Sequence, residues 1–218
     1  MRIVLTMLAA TALVAGLGGC GRAGGATAFD EWADLFNGED LAGWHISQTN
    51  GHGDTKNWRV VEGAIEGAQD APGNGGIIVT DRDFGDFLLE LELNPDWGLD
   101  SGIFLRSTES GKCYQIMVDY YDGGCVGGVY GEGIGGFRAD AVDWLTHYRK
   151  GEWNKVLALV MGNPPIIEVW LNGAHALSWK GSEKLLDDRG RIGLQVHAGA
   201  NYYEKKTRFR NIRIRELP

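Results

Sequence analysis

Three cysteines, five prolines and five histidines in 218 residues narrow the field before any motif is read. So few cysteines exclude a disulfide-dense scaffold. The five histidines show no paired spacing, which excludes the usual signatures of a transition-metal centre. Positive charge is also short: 21 lysines and arginines face 29 acidic residues, a net charge of -8. That balance argues against a polyanionic partner, and no nucleic acid is expected. No fixed-period repeat is present. The one long apolar run, Ile3 to Leu17, is too short to span a bilayer comfortably. What the chain does have is glycine, 34 residues, and a hydrophobic fraction of 44%, enough for one domain with a sizeable core.

Arg2 followed by the Ile3–Leu17 run reads as an export signal, and Leu17-Gly18-Gly19-Cys20 resembles a bacterial lipobox. The expected division is a lipoprotein signal peptide over 1–19, a lipidated Cys20 with a flexible tether over 20–28, and a domain over 29–218. The expected location is the bacterial cell envelope, periplasmic or surface-facing, with the lipid anchor as the only membrane contact. An ordinary cleaved signal with an incidental cysteine is the competing reading. In an exported protein Cys113 and Cys125 form either a disulfide or two buried free thiols, and both stay open.

The organising stretch is Asp100-Ser101-Gly102-Ile103-Phe104-Leu105-Arg106, which alternates as a strand does. Ile103 and Leu105 point one way; Gly102, Phe104 and Arg106 point the other. A charge in mid-strand is poorly placed in a core, so the Arg106 face is expected to be solvated and concave. Tyr114 to Asp119 and Arg191 to His197 share the parity. Together they set Arg106, Gln115, Asp119, Gln195 and His197 on one surface, where Gly102 and Gly193 leave room for a ring.

Other short alternating runs are separated by turn residues: a hairpin about Glu62-Gly63, Ile77 to Thr80, Phe84 to Leu93, Val156 to Val160, Ile167 to Leu171, and a final strand through Thr207 to Leu217 whose broken alternation points to a bulge. Tyr120 to Gly136 is rich in glycine and reads as a functional loop, its aromatics arguing against disorder. Ala139 to Lys150 reads as a short helix or an aromatic loop. About a dozen short strands over this length favour an all-β, jelly-roll-type sandwich of two antiparallel sheets.

Seven motifs in order, Leu35-Phe36-Asn37-Gly38, Leu41-Ala42-Gly43-Trp44, Ser101 to Arg106, Gly151-Glu152-Trp153-Asn154, Leu171-Asn172-Gly173, Gly190 to His197 and Phe209 to Ile214, resemble the 3-keto-disaccharide hydrolase domain family. The resemblance implies a concanavalin-A-like jelly roll acting on sugars already oxidised at C3, hence a carbohydrate substrate supplied by a separate oxidoreductase. The family often has Asn-Ser-Gly where this chain has Asp100-Ser101-Gly102, and a Glu-x-Gln pair where this chain has Cys113 and Gln115.

A ketone at C3 acidifies the C2 proton, so a base removes it, the C1 oxygen leaves and water adds back. Such chemistry needs a base, an acid and donors for the enolate-like oxygen. Asp119 and His197 are the candidates for base and acid, with Glu132 a second carboxylate. Arg106 and Gln195 are the candidates for stabilising charge on O3. Gln115, Gln195, Ser101, Trp97 and Trp144 are the candidate sugar-binding residues, the tryptophans by stacking. Asp100, Asp119 and Glu132 are also weighed as Ca²⁺ ligands, but no ligand loop of specific spacing is present, and no cofactor is expected. A non-catalytic, membrane-anchored carbohydrate-binding module is the alternative function.

Overall fold

A computed structural model of the chain describes residues 31–48, 51–200 and 202–218. The expected signal segment, Cys20 and the tether lie outside the described residues. In chain order the strands are β1 (Ala33–Asp34), β2 (Trp44–Ile46), β3 (Trp58–Val61), β4 (Ala64–Ala68), β5 (Gly76–Thr80), β6 (Phe87–Leu93), β7 (Gly102–Ser107), β8 (Cys113–Val118), β9 (Val126–Glu132) and β10 (Gly136–Ala139). One helical turn, α1 (Trp144–His147), precedes β11 (Asn154–Met161), β12 (Ile166–Leu171), β13 (Ala174–Lys180), β14 (Arg191–Val196) and β15 (Lys206–Glu216). They form two antiparallel sheets. One runs β13-β12-β11-β6-β15-β4-β3 with β1 added on β15; the other runs β10-β9-β8-β7-β14-β5-β2. This is the all-β sandwich expected.

Period-two alternation builds the core. In β6, Phe87, Leu89, Leu91 and Leu93 are buried, while Glu90 and Glu92 point outward to Arg213 and Arg210 of β15. The β3–β4 hairpin turns on Glu62 and Gly63, both at positive φ (50° and 74°), as a tight two-residue hairpin requires. A bulge near Asn211 keeps Phe209, Ile212 and Ile214 all facing inward.

Two departures from the sequence reading come first. The glycine-rich segment is not a loop over the site: its middle is β9, paired with both β8 and β10. Glycine there answers crowding, because a Cβ on Gly128 would meet Cys125 Sγ at 2.7 Å and one on Gly131 would meet Arg138 Nε at 2.8 Å. β13 was not legible, since a register shift between Val169 and Trp170 of its partner breaks the alternation.

The third correction concerns Arg106. Against β14, Ser107 pairs with Arg191 but Phe104 pairs with Gly193, so Leu105 and Arg106 together oppose Ile192 in a bulge. Arg106 takes a φ of 50°, and the bulge turns its side chain inward, leaving the residue 2% exposed. The guanidinium crosses to the other sheet, where Nε donates to Gly85 O (2.9 Å), Nη1 to Gly162 O (2.8 Å) and Nη2 to Asp86 Oδ1 (2.5 Å). Arg106 is therefore a tie between sheets and not part of the solvated face. Ser101 is corrected likewise: it is fully buried, donating to Gln195 O at 2.6 Å beside Thr207.

Removing one partner of a buried, hydrogen-bonded ion pair costs about 3 kcal/mol. Arg106→Met is expected to lower the unfolding free energy by that order in urea denaturation. A loss well under 1 kcal/mol would contradict the inter-sheet role.

Candidate active site

The β7–β8 register does the assembling. Gly102 pairs with Met117, and beyond the strand ends Leu99 bridges Tyr120, which sets Asp100 opposite Asp119. Backbone bonds from Val118 to Ser101 O (3.0 Å) and from Tyr120 to Leu99 O (2.9 Å) hold that register. Both carboxyls stand on the outer face and hydrogen-bond to each other. Burial, with the partner carboxylate adding to it, pushes Asp119 up to about 7; burial raises Asp100 to about 6. The pair holds one proton near neutrality. Tyr121 bonds Asp119 and is itself pushed up to about 12, mainly by burial.

Gly102 and Gly193 do not leave space for a ligand ring, as the sequence suggested. A Cβ on Gly102 would lie 2.4 Å from Gln115 Nε2, and one on Gly193 would lie 3.0 Å from Phe104 Cβ. The glycines make room for neighbouring side chains. Gln115 Nε2 donates to Ser101 O and to Gln195 Oε1, both at 3.3 Å. Gln195 Nε2 lies 3.3 Å from His52 Nδ1, and His52 Nε2 lies 4.0 Å from Glu132 Oε1. With Nδ1 of His52 accepting, a polar chain runs Gln115, Gln195, His52, Glu132 along the floor. Burial pulls the His52 pKa below its ordinary value, against the pull of Glu132, so the ring is neutral at neutral pH. Beneath it lies a small apolar cluster of Ile77, Val79, Phe104 and Cys113, with the Phe104 ring 5.4 Å from that of His52.

Asp100, Gln115, Asp119, Glu132 and His197, with Met117 and Tyr130, line a trough of about 250 Å³. His197 Nε2 is 3.7 Å from Asp100 Oδ2. Of the residues expected in the site, Asp119, His197, Glu132, Gln115 and Gln195 come together. Trp97 does not: Tyr120 meets it edge-on at 4.8 Å and Lys150 Nζ sits 4.3 Å over its ring, at a separate pocket. Trp144 is buried, with Nε1 given to Gly124 O at 3.0 Å, and reaches only an adjoining cavity. Cys113 and Cys125 are buried free thiols: Cys113 belongs to the small apolar cluster, and Cys125 Sγ accepts the Ala141 N–H. Among the described residues no group of three or more His, Cys, Asp or Glu side chains is arranged to hold a metal ion.

Two residues were missed or misweighed. His52 stands between Gly51 and Gly53 in a segment without periodicity, so only its chemistry could have flagged it. Asp100, weighed before as a calcium ligand, was accessible by extending the strand pairing two residues past Gly102.

The 3-keto-alpha-glucoside-1,2-lyase-like domain family matches residues 31–215. No curated protein matches the chain by sequence. Two crystal structures from Parabacteroides distasonis, described as glycosyl hydrolases, superpose with TM-scores of 0.62 and 0.64 at 22% identity, covering 87% and 86% of this chain and 95% and 100% of theirs. The Crh5 transglycosylase superposes with a TM-score of 0.61 at 15% identity over 86% of this chain and 84% of its own. At these identities the likeness establishes the sandwich fold.

A pH dependence follows from the acid pair. The carboxyls ionise near 3.8 when unfolded but near 6 and 7 when folded. As pH rises from 4 to 7 the unfolded chain gives up its protons first, so stability falls with pH in that window. Asp119→Asn is expected to flatten this slope and to stabilise the protein at pH 8 by about 1–2 kcal/mol, after allowance for solvent screening of a partly exposed group. Thermal melts of both proteins from pH 4 to 8 check it; parallel curves would contradict the shared proton.

Proposed function

The chain belongs to the 3-keto-alpha-glucoside-1,2-lyase-like domain family, and from that premise we propose that it cleaves 3-keto-glycosides by elimination and hydration in the trough on the outer face of the seven-stranded sheet. The observation that carries the reading is the cross-strand pair Asp100–Asp119, which keeps a proton near neutral pH beside the carboxylate of Glu132. A retained proton next to a separate carboxylate supplies an acid and a base in one cavity.

In this reading Glu132 removes the C2 proton that the C3 ketone acidifies. Charge moves onto O3, where the ring N–H of His197, which lines the trough, donates to it. Gln115 lines the trough with its amide N–H groups held by Ser101 O and Gln195 Oε1, so buried Gln195 orients it. Asp119 gives its proton to the C1 oxygen as that bond breaks, with Asp100 as the partner that kept it protonated. Water then adds at C1, losing its proton to Asp119, and Glu132, its carboxyl proton exchanged with solvent in the interval, protonates C2. The balance is one water consumed, with a free alcohol and a free 3-keto-sugar released. Where the resembling family carries a glutamate, this chain has Cys113, and its register partner is Glu132. A carboxylate is thus retained at that level of the sheet from the neighbouring strand. The lipobox-like Leu17-Gly18-Gly19-Cys20 supports placing this activity at the cell envelope, fed by an oxidoreductase acting at C3.

Incubation with a 3-keto-disaccharide in D₂O tests the whole scheme. Turnover is expected with deuterium at C2 of the released keto-sugar, and kcat is expected to decline above about pH 7 as Asp119 loses its proton. Asp119→Asn and Glu132→Gln are each expected to lower kcat by about 10²–10⁴-fold. Saturable sugar binding with no product at any protein concentration would instead mark a binding module.

A further inference from the structure

The trough does not close at either of its end carboxylates. Glu132 stands in register with Cys113, the first residue of β8, and Asp119 follows the last residue of the same strand, so the two mark opposite ends of the site. At the Asp119 end a second cavity of about 430 Å³ begins, with Met117 and Asp119 lining both. At the Glu132 end a third begins, of about 370 Å³, with Glu132 lining both. The flanking cavities are alike in kind, each mixing polar groups with apolar surface. Beyond Asp119 the Phe137 ring, 55% exposed on edge strand β10, stands with the Asp140 carboxylate and the backbone of Gly123 and Gly124. Beyond Glu132 lie Lys112, Ser110 and the backbone of Gly111 and Gly133. Lys112 and Asp140 are both exposed, one charge of each sign at opposite ends of the trough.

A site closed at one end takes the terminal ring of a glycan. A site that continues past both ends of the reacting ring has room for a neighbour on each side. Apolar surface interrupted by a few charged and hydroxyl groups suits a pyranose, whose C–H face covers the one while its hydroxyls meet the other. We propose that the three cavities form one cleft and that the substrate is an oligosaccharide oxidised at C3 of an internal ring. The unit leaving from C1 then occupies the Asp119 end. The unit joined at O4 or O6 of the keto-sugar occupies the Glu132 end, because C4 lies across the ring from C1. The bond broken and the water consumed are those of the scheme above; the keto-sugar is released still carrying its O4- or O6-linked neighbour. The inference rests on that scheme, in which Asp119 protonates the C1 oxygen and Glu132 takes the C2 proton, since those roles set the direction of the chain.

A disaccharide oxidised in its non-reducing ring and a trisaccharide oxidised in its middle ring release the same sugar from C1, so they differ only in the unit at the Glu132 end. The maltose and cellobiose series supply both configurations of the linkage. In the series that the site accepts, the trisaccharide is expected to show a KM about tenfold below that of the disaccharide, the gain from about one or two net hydrogen bonds. Lys112→Ala, at an exposed position, is expected to erase that advantage and leave the disaccharide KM unchanged. Phe137→Ala, exposed at the other end, is expected to raise both KM values alike. Calorimetric binding of the unoxidised disaccharides and trisaccharides gives a readout independent of turnover. Equal KM values with equal binding in both series, or turnover of a disaccharide with none of its trisaccharide, would overturn the open cleft. If no 3-keto compound reacts but an unoxidised trisaccharide binds about tenfold tighter than its disaccharide and Lys112→Ala abolishes the difference, the cleft stands and the catalytic reading fails.

Discussion

Two carboxyl groups facing each other across an antiparallel strand pair, half out of water, cannot both stay ionised. That constraint governs the outer face of the seven-stranded sheet. It arises from backbone hydrogen bonds, since the pairing that joins Gly102 to Met117 and Leu99 to Tyr120 leaves Asp100 and Asp119 no other place to stand. The proton they share separates this pair from Glu132, which faces neutral His52 on the same sheet.

Holding like charges together requires a frame that does not yield, and the interior supplies it. Arg106 leaves the same strand that Asp100 precedes and pins it to Gly85, Asp86 and Gly162 of the opposite sheet. Ser101, beside Asp100, is bonded to the carbonyl of Gln195. Residues adjacent along β7 thus serve opposite faces, the inward ones fixing strand position and the outward ones forming the trough. The outer face also carries its own small apolar cluster under His52, so the polar chain from Gln115 to Glu132 rests on packed side chains rather than on solvent.

The wall beyond Asp119 is built by close backbone approach. β9 and β10 bring Cys125, Phe137 and Ala141 against Trp144, and the glycines of β9 permit that approach. A glycine-rich segment that reads in the sequence as a functional loop is instead a paired strand and a wall of the site.

Alternation of apolar and polar residues at period two, punctuated by turn residues such as Glu62-Gly63, determined the sandwich and which face of β7, β8 and β14 is polar. These are local properties, set by strand geometry and hairpin sterics. They set Gln115, Asp119, Gln195 and His197 on one face, as the structure does, and the same parity put Arg106 and Gly102 in the wrong roles. A one-residue bulge inverts parity and leaves only a weak trace in the sequence, because it depends on how β14 pairs and on Gly190 yielding space to the Arg106 backbone. His52 likewise comes from a segment distant in the chain. Tertiary structure alone decided them, since register and burial are set by partner strands, and burial is what moves a proton onto one carboxyl and off another.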